Sequence, residues 1–311
     1  MSFEIFMDSG ANIPAREVEK YGINVMSFVN LVDGKEVRCY TPGLTPLEER
    51  LEGKKFYDAM RAGAKVSTSM LNAHQFREFF EPALKAGKDV IYIPISSGIS
   101  GTYNAAATLA GELEEEYEGR RVFVIDSKNG SMGVGLHAIT ASIMRAKGAS
   151  AEEAAKQITS DVPKMNGLFT VGNLKYLART GRLHSAKAAV GNVLNVKPIL
   201  RGNADGYIVE FKKARGRRKS IEELCRLLID NIVDPEDQII SIAHADAYEE
   251  ALECAAIIKN HVNVKDIIIT SYDFCTGSHV GPDTIAFFFK AKDRELSAVP
   301  STDRLSVAVI G

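Results

Sequence analysis

Strand, small-residue loop and helix follow one another in fixed order through the first half of the chain, and this alternation sets the tightest limit on its fold. VIYIPI (90–95) leads through SSGISG into TYNAAATLAGELEEEY, and VFVID (122–126) leads through SKNGSMGVG into LHAITASIMRAKG. FEIFMDSG near the start reads as an apolar strand entering a polar loop. Thr45-Pro46 can cap and open a helix running toward Arg61, and Asn72 can cap AHQFREFFEPALKAG, with Pro82 as a candidate kink. Ser150 opens another helix with a plausible cap. A chain that repeats strand, loop and helix builds a parallel sheet with crossover helices. Ligands on such sheets sit beyond the carboxyl ends of the strands, where these loops fall.

The pattern changes near residue 160. GLFTVG predicts a short strand and NLKYLARTGRL a short helix, and KPILRGNADGYIVEFKKARGRRK predicts two strands about a turn at Asn203–Gly206. Helix SIEELCRLLIDNI follows, and IISIAHAD, YEEALECAAIIKNHV and IIITSYDF close the region as strand, helix, strand. The expected class is α/β in two domains. Residues 1–160 form a mainly parallel sheet with flanking helices, and residues 161–311 form a mixed α+β sandwich with an extended tail. A length of 311 residues suffices for two cores.

Composition removes several function classes. Net charge is −2, so no global field argues for nucleic acid or an anionic membrane. No stretch approaches the roughly 20 apolar residues of a membrane span, and MSFEIFMDSG lacks a basic segment followed by an apolar one. The four cysteines are widely spaced with no C-x-x-C pair, as suits reduced thiols in a cytoplasm. There is no G-x-x-x-x-G-K-[ST] for a nucleotide and no metal-ligand spacing.

The chemistry concentrates in the loops. Ser96-Ser97-Gly98-Ile99-Ser100-Gly101 lies where a strand passes into the helix that opens near Thr102. Unpaired N–H groups of a first helical turn, hydroxyl donors and two glycines that admit a close ligand make a site for a small anion. Plain capping by Ser100 or Thr102 would need only one of these residues. Asp8-Ser9-Gly10 and Ser67-Thr68-Ser69 have similar character, and a doubly wound fold brings such loops together. Gly98-Ile99-Ser100-Gly101-Thr102 lacks the final glycine of a hydrolase nucleophile elbow. His279, in TGSHVGPD, is placed on a glycine- and proline-fixed turn. Six basic residues among 212–219 form a local patch without interleaved aromatics, which suits a solvated strand end or an acidic partner rather than nucleic acid.

These elements together resemble the DegV family of bacterial fatty-acid-binding proteins. They occur in family order across about residues 1–290: Asp8-Ser9, Thr68-Ser69, Ser96-Ser97-x-x-Ser100-Gly101-Thr102-Tyr103, Asp126-Ser127, Leu174-x-x-Leu177-x-x-x-Gly181-Arg182, Lys197-Pro198-Ile199, Arg215-Gly216-Arg217 and His279-x-Gly281-Pro282. The resemblance implies a carrier, not an enzyme, that holds one long-chain fatty acid between two domains and uses no other cofactor or metal. Its ligand-binding set is Thr68, Ser69, Ser96, Ser97, Ser100, Gly101, Thr102, His279 and Gly281, with Thr68, Ser96, Ser97 and His279 on the carboxylate. It further implies presentation of the carboxylate to a separate fatty acid kinase. Arg182, Arg201, Arg215 and Arg217 are the candidates for meeting that kinase or, transiently, a membrane surface.

Two positions depart from the family pattern. Leu71 stands where a proline usually follows the Thr-Ser pair, and Asp283 stands where a glycine follows Gly-Pro. A carboxylate at 283 would repel a bound carboxylate unless it points outward. LSVAVIG, in the tail beyond about Lys292, is expected to form an edge strand or an interaction segment. The alternatives to a carrier are an acyl hydrolase using Ser100 with His279, and a lipid-sensing regulator.

Overall fold

The computed structural model describes residues 3–184, 195–294 and 296. The first run of elements is β1 (Phe3–Asp8), α1 (Ala15–Tyr21), β2 (Asn24–Met26), β3 (Val29–Val32), β4 (Lys35–Arg38), α2 (Pro46–Arg61), β5 (Val66–Thr68), α3 (Ala73–Lys85), β6 (Asp89–Ile93), α4 (Thr102–Glu116), β7 (Val122–Val124), α5 (Met132–Ala146) and α6 (Ala151–Asp161). Capping boxes start three of these helices, pairing Thr45 with Glu48, Asn72 with Gln75 and Ser150 with Glu153. Pro82 lies inside α3. Strands β2-β1-β6-β7 form a wholly parallel four-stranded sheet. A small antiparallel sheet, β4-β3-β5, stands apart from it.

The second run is β8 (Met165–Thr170), α7 (Lys175–Arg179), β9 (Val196–Gly202), β10 (Ile208–Arg215), α8 (Arg217–Asn231), β11 (Ile239–His244), α9 (Tyr248–His261), β12 (Asp266–Ser271), α10 (Phe274–Val280) and β13 (Ile285–Lys290). Its six strands form one mixed sheet in the order β10-β9-β8-β13-β11-β12, parallel only between β11 and β12. The fold is thus mixed α/β, with a parallel sheet first and a mixed sheet second.

Strand alternation assigns the two faces of the second sheet. Ala286 and Phe288 of β13 join a core that also holds Ile5, Ile91 and Phe169. Ile285, Phe287 and Phe289 face the other way, against Leu224 and Leu228 of α8 and Cys254 and Ile258 of α9. Helix α5 touches β1 and β6 of the first sheet and β8, β11 and β13 of the second. It is the layer the two sheets share.

Several elements differ from the sequence reading. Helix α5 begins at Met132, inside the glycine-rich run expected to be loop, and α8 begins at Arg217, so Arg217–Lys219 form a helical first turn. His279 is not on a turn: Phe274–Val280 is helical, started by Asp273, whose carboxylate accepts from Thr276 N–H at 2.7 Å. Strands β2 to β5 and β13 were not anticipated, although Asp33-Gly34, both at positive φ, supplies a hairpin signal between β3 and β4. The strand expected in LSVAVIG lies outside the described residues.

Phe76 is fully buried against Phe80 and Tyr92, with ring centroids 5.8 and 5.5 Å away. Phe76→Ala should lower unfolding free energy by roughly 3–5 kcal/mol, measured by urea titration. A loss below about 1 kcal/mol would mean that α3 does not anchor the first sheet as described.

Candidate ligand-binding site

Where β6 ends, the Ser-rich loop begins, and its hydroxyls go to different partners. Ser96, fully buried, donates from Oγ to Gly206 O at 3.0 Å and accepts from Gly98 N–H at 3.0 Å. Ser97 Oγ accepts from Lys128 Nζ at 3.0 Å, and its N–H donates to Asp126 Oδ1 at 3.1 Å. Ser100 Oγ lies 2.8 Å from Thr102 Oγ1 and accepts from Thr102 N–H. Just beyond β5, Ser69 Oγ donates to Val29 O at 2.8 Å, while Thr68 Oγ1, at the end of the strand, lies 3.3 Å from His279 Nε2 at the far end of α10. Residues 68 and 279 are thereby brought together from opposite ends of the chain.

They meet on the wall of a cavity enclosing about 950 Å³, its open mouth included. Phe28, Ile95, Ile99 and Ile208 line it, as do Phe169, Leu177, Val280 and Phe288. Loops beyond the strands of the parallel sheet, β5 of the small antiparallel sheet and strands of the mixed sheet contribute walls. Polar groups enter at Thr68, Ser69, Ser100, Arg182 and His279, and along Lys128–Ser131. Burial, then the nearby Arg182 and Arg179 charges, push the His279 pKa down to about 4. The imidazole is therefore neutral at pH 7, and its buried Nδ1 has no partner among the described residues.

Of the nine expected ligand residues, Thr68, Ser69, Ser100 and His279 line the cavity, whereas Ser96, Ser97, Gly101, Thr102 and Gly281 do not. Gly101 packs against Met70, where a Cβ would come 3.0 Å from Sδ. Gly281 has φ +81°, and a Cβ there would fall 2.2 Å from the Tyr176 ring, so only glycine lets α10 pack on α7. Arg182, expected at a partner surface, lines the cavity instead. Arg201 lies over the Phe211 ring at 4.4 Å and donates to Arg294 O, and Arg217 makes a two-pronged ion pair with Glu250. Arg215 is exposed at the end of β10.

The two departures are absorbed locally. Leu71 is buried in the shared core. Asp283, at φ +64°, is ion-paired with Arg61 at 2.7 Å and its side chain is half exposed, outside the cavity lining. Sequence reasoning missed Phe28 and the Lys128–Ser131 wall. The Asp33-Gly34 hairpin signal could have found the first; only tertiary contact reveals the second.

Two buried carboxyls hold the segments that carry this wall. Asp8 Oδ2 accepts from Ile95 N–H at 3.0 Å and from the Tyr92 hydroxyl at 3.3 Å, and Asp273 caps α10. Burial, with a further push from Asp273, raises the Asp8 pKa to about 7, and burial raises Asp273 to about 6.

Comparison with known proteins places these observations. The sequence model of the DegV family, described as uncharacterised proteins, matches residues 2–292. A DegV domain-containing protein of Clostridium perfringens is 36% identical over 293 residues, which cover 94% of this chain and 99% of that protein. The solved structure of DegV from Bacillus subtilis, described as a fatty acid binding protein, is 26% identical with a TM-score of 0.78, covering 94% of this chain and all of that one. A DegV-family protein of Ruminococcus gnavus, described with vaccenic acid, shares the fold at a TM-score of 0.82 and 22% identity, covering 93% and 99% of the two chains.

A carboxyl whose folded pKa exceeds its unfolded value binds its proton more tightly in the fold. The Asp8 contribution is therefore full below about pH 4 and is lost as pH rises through about 7. Three histidines, the buried His137 and His244 and the half-buried His279, have lowered pKa values and act in the opposite sense below their ordinary 6.5. Comparison with Asp8→Asn cancels them. From about pH 5 to pH 8 the stability difference should shift toward the variant by on the order of 2 kcal/mol, measured by urea unfolding. Parallel pH profiles would exclude a raised Asp8 pKa.

Proposed function

Because the chain belongs to the DegV family, we propose that it binds one long-chain fatty acid in the cavity between its two sheets, with the carboxylate at the end formed by Thr68, His279 and Arg182. One observation carries this reading: a mostly apolar cavity has a hydroxyl, a neutral imidazole and a guanidinium gathered on its wall. Burying about 14 methylenes at about 0.8 kcal/mol each contributes on the order of 11 kcal/mol gross, from which ordering costs are subtracted. A carboxylate leaving water must be hydrogen-bonded in compensation. Thr68 Oγ1 and a ring nitrogen of His279 supply neutral donors, and Arg182 supplies charge.

The carrier works in the cytoplasm and presents the acid to a separate fatty acid kinase, which it meets through the exposed Arg215. It has no catalytic residue of its own. Ser100 Oγ is paired with Thr102 while His279 faces Thr68, so the hydrolase alternative lacks a direct Ser100–His279 hydrogen bond. Among the described residues, no helix is long and apolar enough to cross a membrane and no group of three or more potential ligands gathers for a metal.

Native mass spectrometry of the purified protein should find one bound long-chain acid, and phosphorylation of that acid should require an added kinase and ATP. Thr68→Ala and His279→Ala should each weaken binding of the free acid roughly tenfold, near 1.4 kcal/mol, and leave the methyl ester less affected. A protein that takes up no fatty acid contradicts the reading. Equal losses for acid and ester would move the head group elsewhere.

A further inference from the structure

Arg294 lies two residues beyond the span matched to the family and is only 6% exposed. Its Nη1 donates to Lys128 O at 2.8 Å and to Asn203 O at 2.9 Å, and its Nη2 donates to Val162 O at 3.1 Å and Ser127 O at 3.3 Å. The acceptors belong to three separate segments: the loop between β7 and α5, the end of α6, and the turn between β9 and β10. One guanidinium nitrogen thus bridges a loop of the first run and a turn of the second. That seam is part of the cavity wall, which includes Lys128, Gly202 and Gly206.

The two sides meet with no slack. A Cβ on Gly206 would fall 1.9 Å from Ser96 Oγ, and one on Gly98 would fall 2.7 Å from the Gly206 backbone. The backbone carrying Arg294 is itself held, since Asn166 Nδ2 donates to Asp293 O at 3.0 Å and Arg201 Nη1 to Arg294 O at 2.7 Å. Burying a guanidinium among carbonyls is costly unless its protons are placed; here four backbone carbonyls receive the Nη protons, while Nε is buried with no partner among the described residues.

We infer that Arg294 is a positioning residue that fastens the β9–β10 turn to the Ser127–Lys128 loop and so sets how slowly the cavity releases its occupant. The retention half rests on the proposed reading of the cavity; the fastening half does not. Two readouts on the full chain separate them. The first is amide hydrogen exchange without ligand, for which Arg294→Ala should exchange at least tenfold faster at residues 127–131 and 203–207 together. The second is the dissociation rate of a fluorescent long-chain fatty acid such as cis-parinaric acid, which should rise at least tenfold. Arg294→Lys should recover part of both, because an ammonium can bridge Lys128 O and Asn203 O but cannot span all four acceptors. Ser96→Ala, which removes the Oγ bond to Gly206 O across the seam and the local one from Gly98 N–H, should give a smaller change in the same segments and serves where Arg294→Ala does not fold. Leu228→Ala, buried in the outer core, should lower the melting temperature without speeding release. Unchanged exchange at the seam overturns the fastening. Release from Arg294→Ala within twofold of the unaltered protein, or accelerated equally by Leu228→Ala, overturns the retention role. Failure of the unaltered protein to bind any fatty acid overturns the reading of the cavity and the retention role with it, while the exchange result still decides the fastening.

Discussion

Helix α5 has almost no face left for solvent. Ten of its residues are buried, from Met132 to Ser142, because the parallel sheet covers one side and the mixed sheet the other. A helix enclosed in this way must be apolar nearly all round and must carry small side chains where backbones approach. Ala138 and Ala141 meet that need, and at Gly133 a Cβ would lie 2.6 Å from the Asn129 side chain. The spacing of the two sheets is therefore set by one helix, and the cavity lies beside the start of that helix, lined by Gly130 and Ser131.

This arrangement decides what each half contributes. The first sheet delivers the Ser-rich loop and, through the small antiparallel sheet, Thr68 and Ser69. The second delivers His279 from α10 and Arg182 from beyond α7. No single half contains both the hydroxyl at 68 and the imidazole facing it, so the site joins positions 211 residues apart in the chain. The polar end is also unusual in its charge: a neutral imidazole and hydroxyls lie on the same wall as one guanidinium. Such a site can orient an anion without locking it into a buried ion pair.

The parallel sheet was legible because its signals are local. Strand runs are bounded by loops of small residues, and Thr45, Asn72 and Ser150 each sit three residues before a Glu or Gln that completes a capping box. Strand β13 was not, because IAFFFK is buried on both faces and shows no polar alternation. Helix α10 was hidden by Gly277 and by its seven-residue length; tertiary packing on α7 and α2, rather than propensity, maintains it. Within the site, the hydroxyl-rich loops stood out at once, but the aim of each hydroxyl did not. Ser96 turns to Gly206, 110 residues away, and Ser97 turns to Lys128. Residue type and spacing carry no trace of those choices.

Among the described residues, the order of the mixed sheet leaves β12 on its margin, with no strand on its outer side. Its sequence, DIIITS, is rich in β-branched side chains and would template the same pairing in another molecule. Helices α2 and α9 both lean on this strand. A change that lifted α2 or α9 away would therefore bare an edge of β-branched residues.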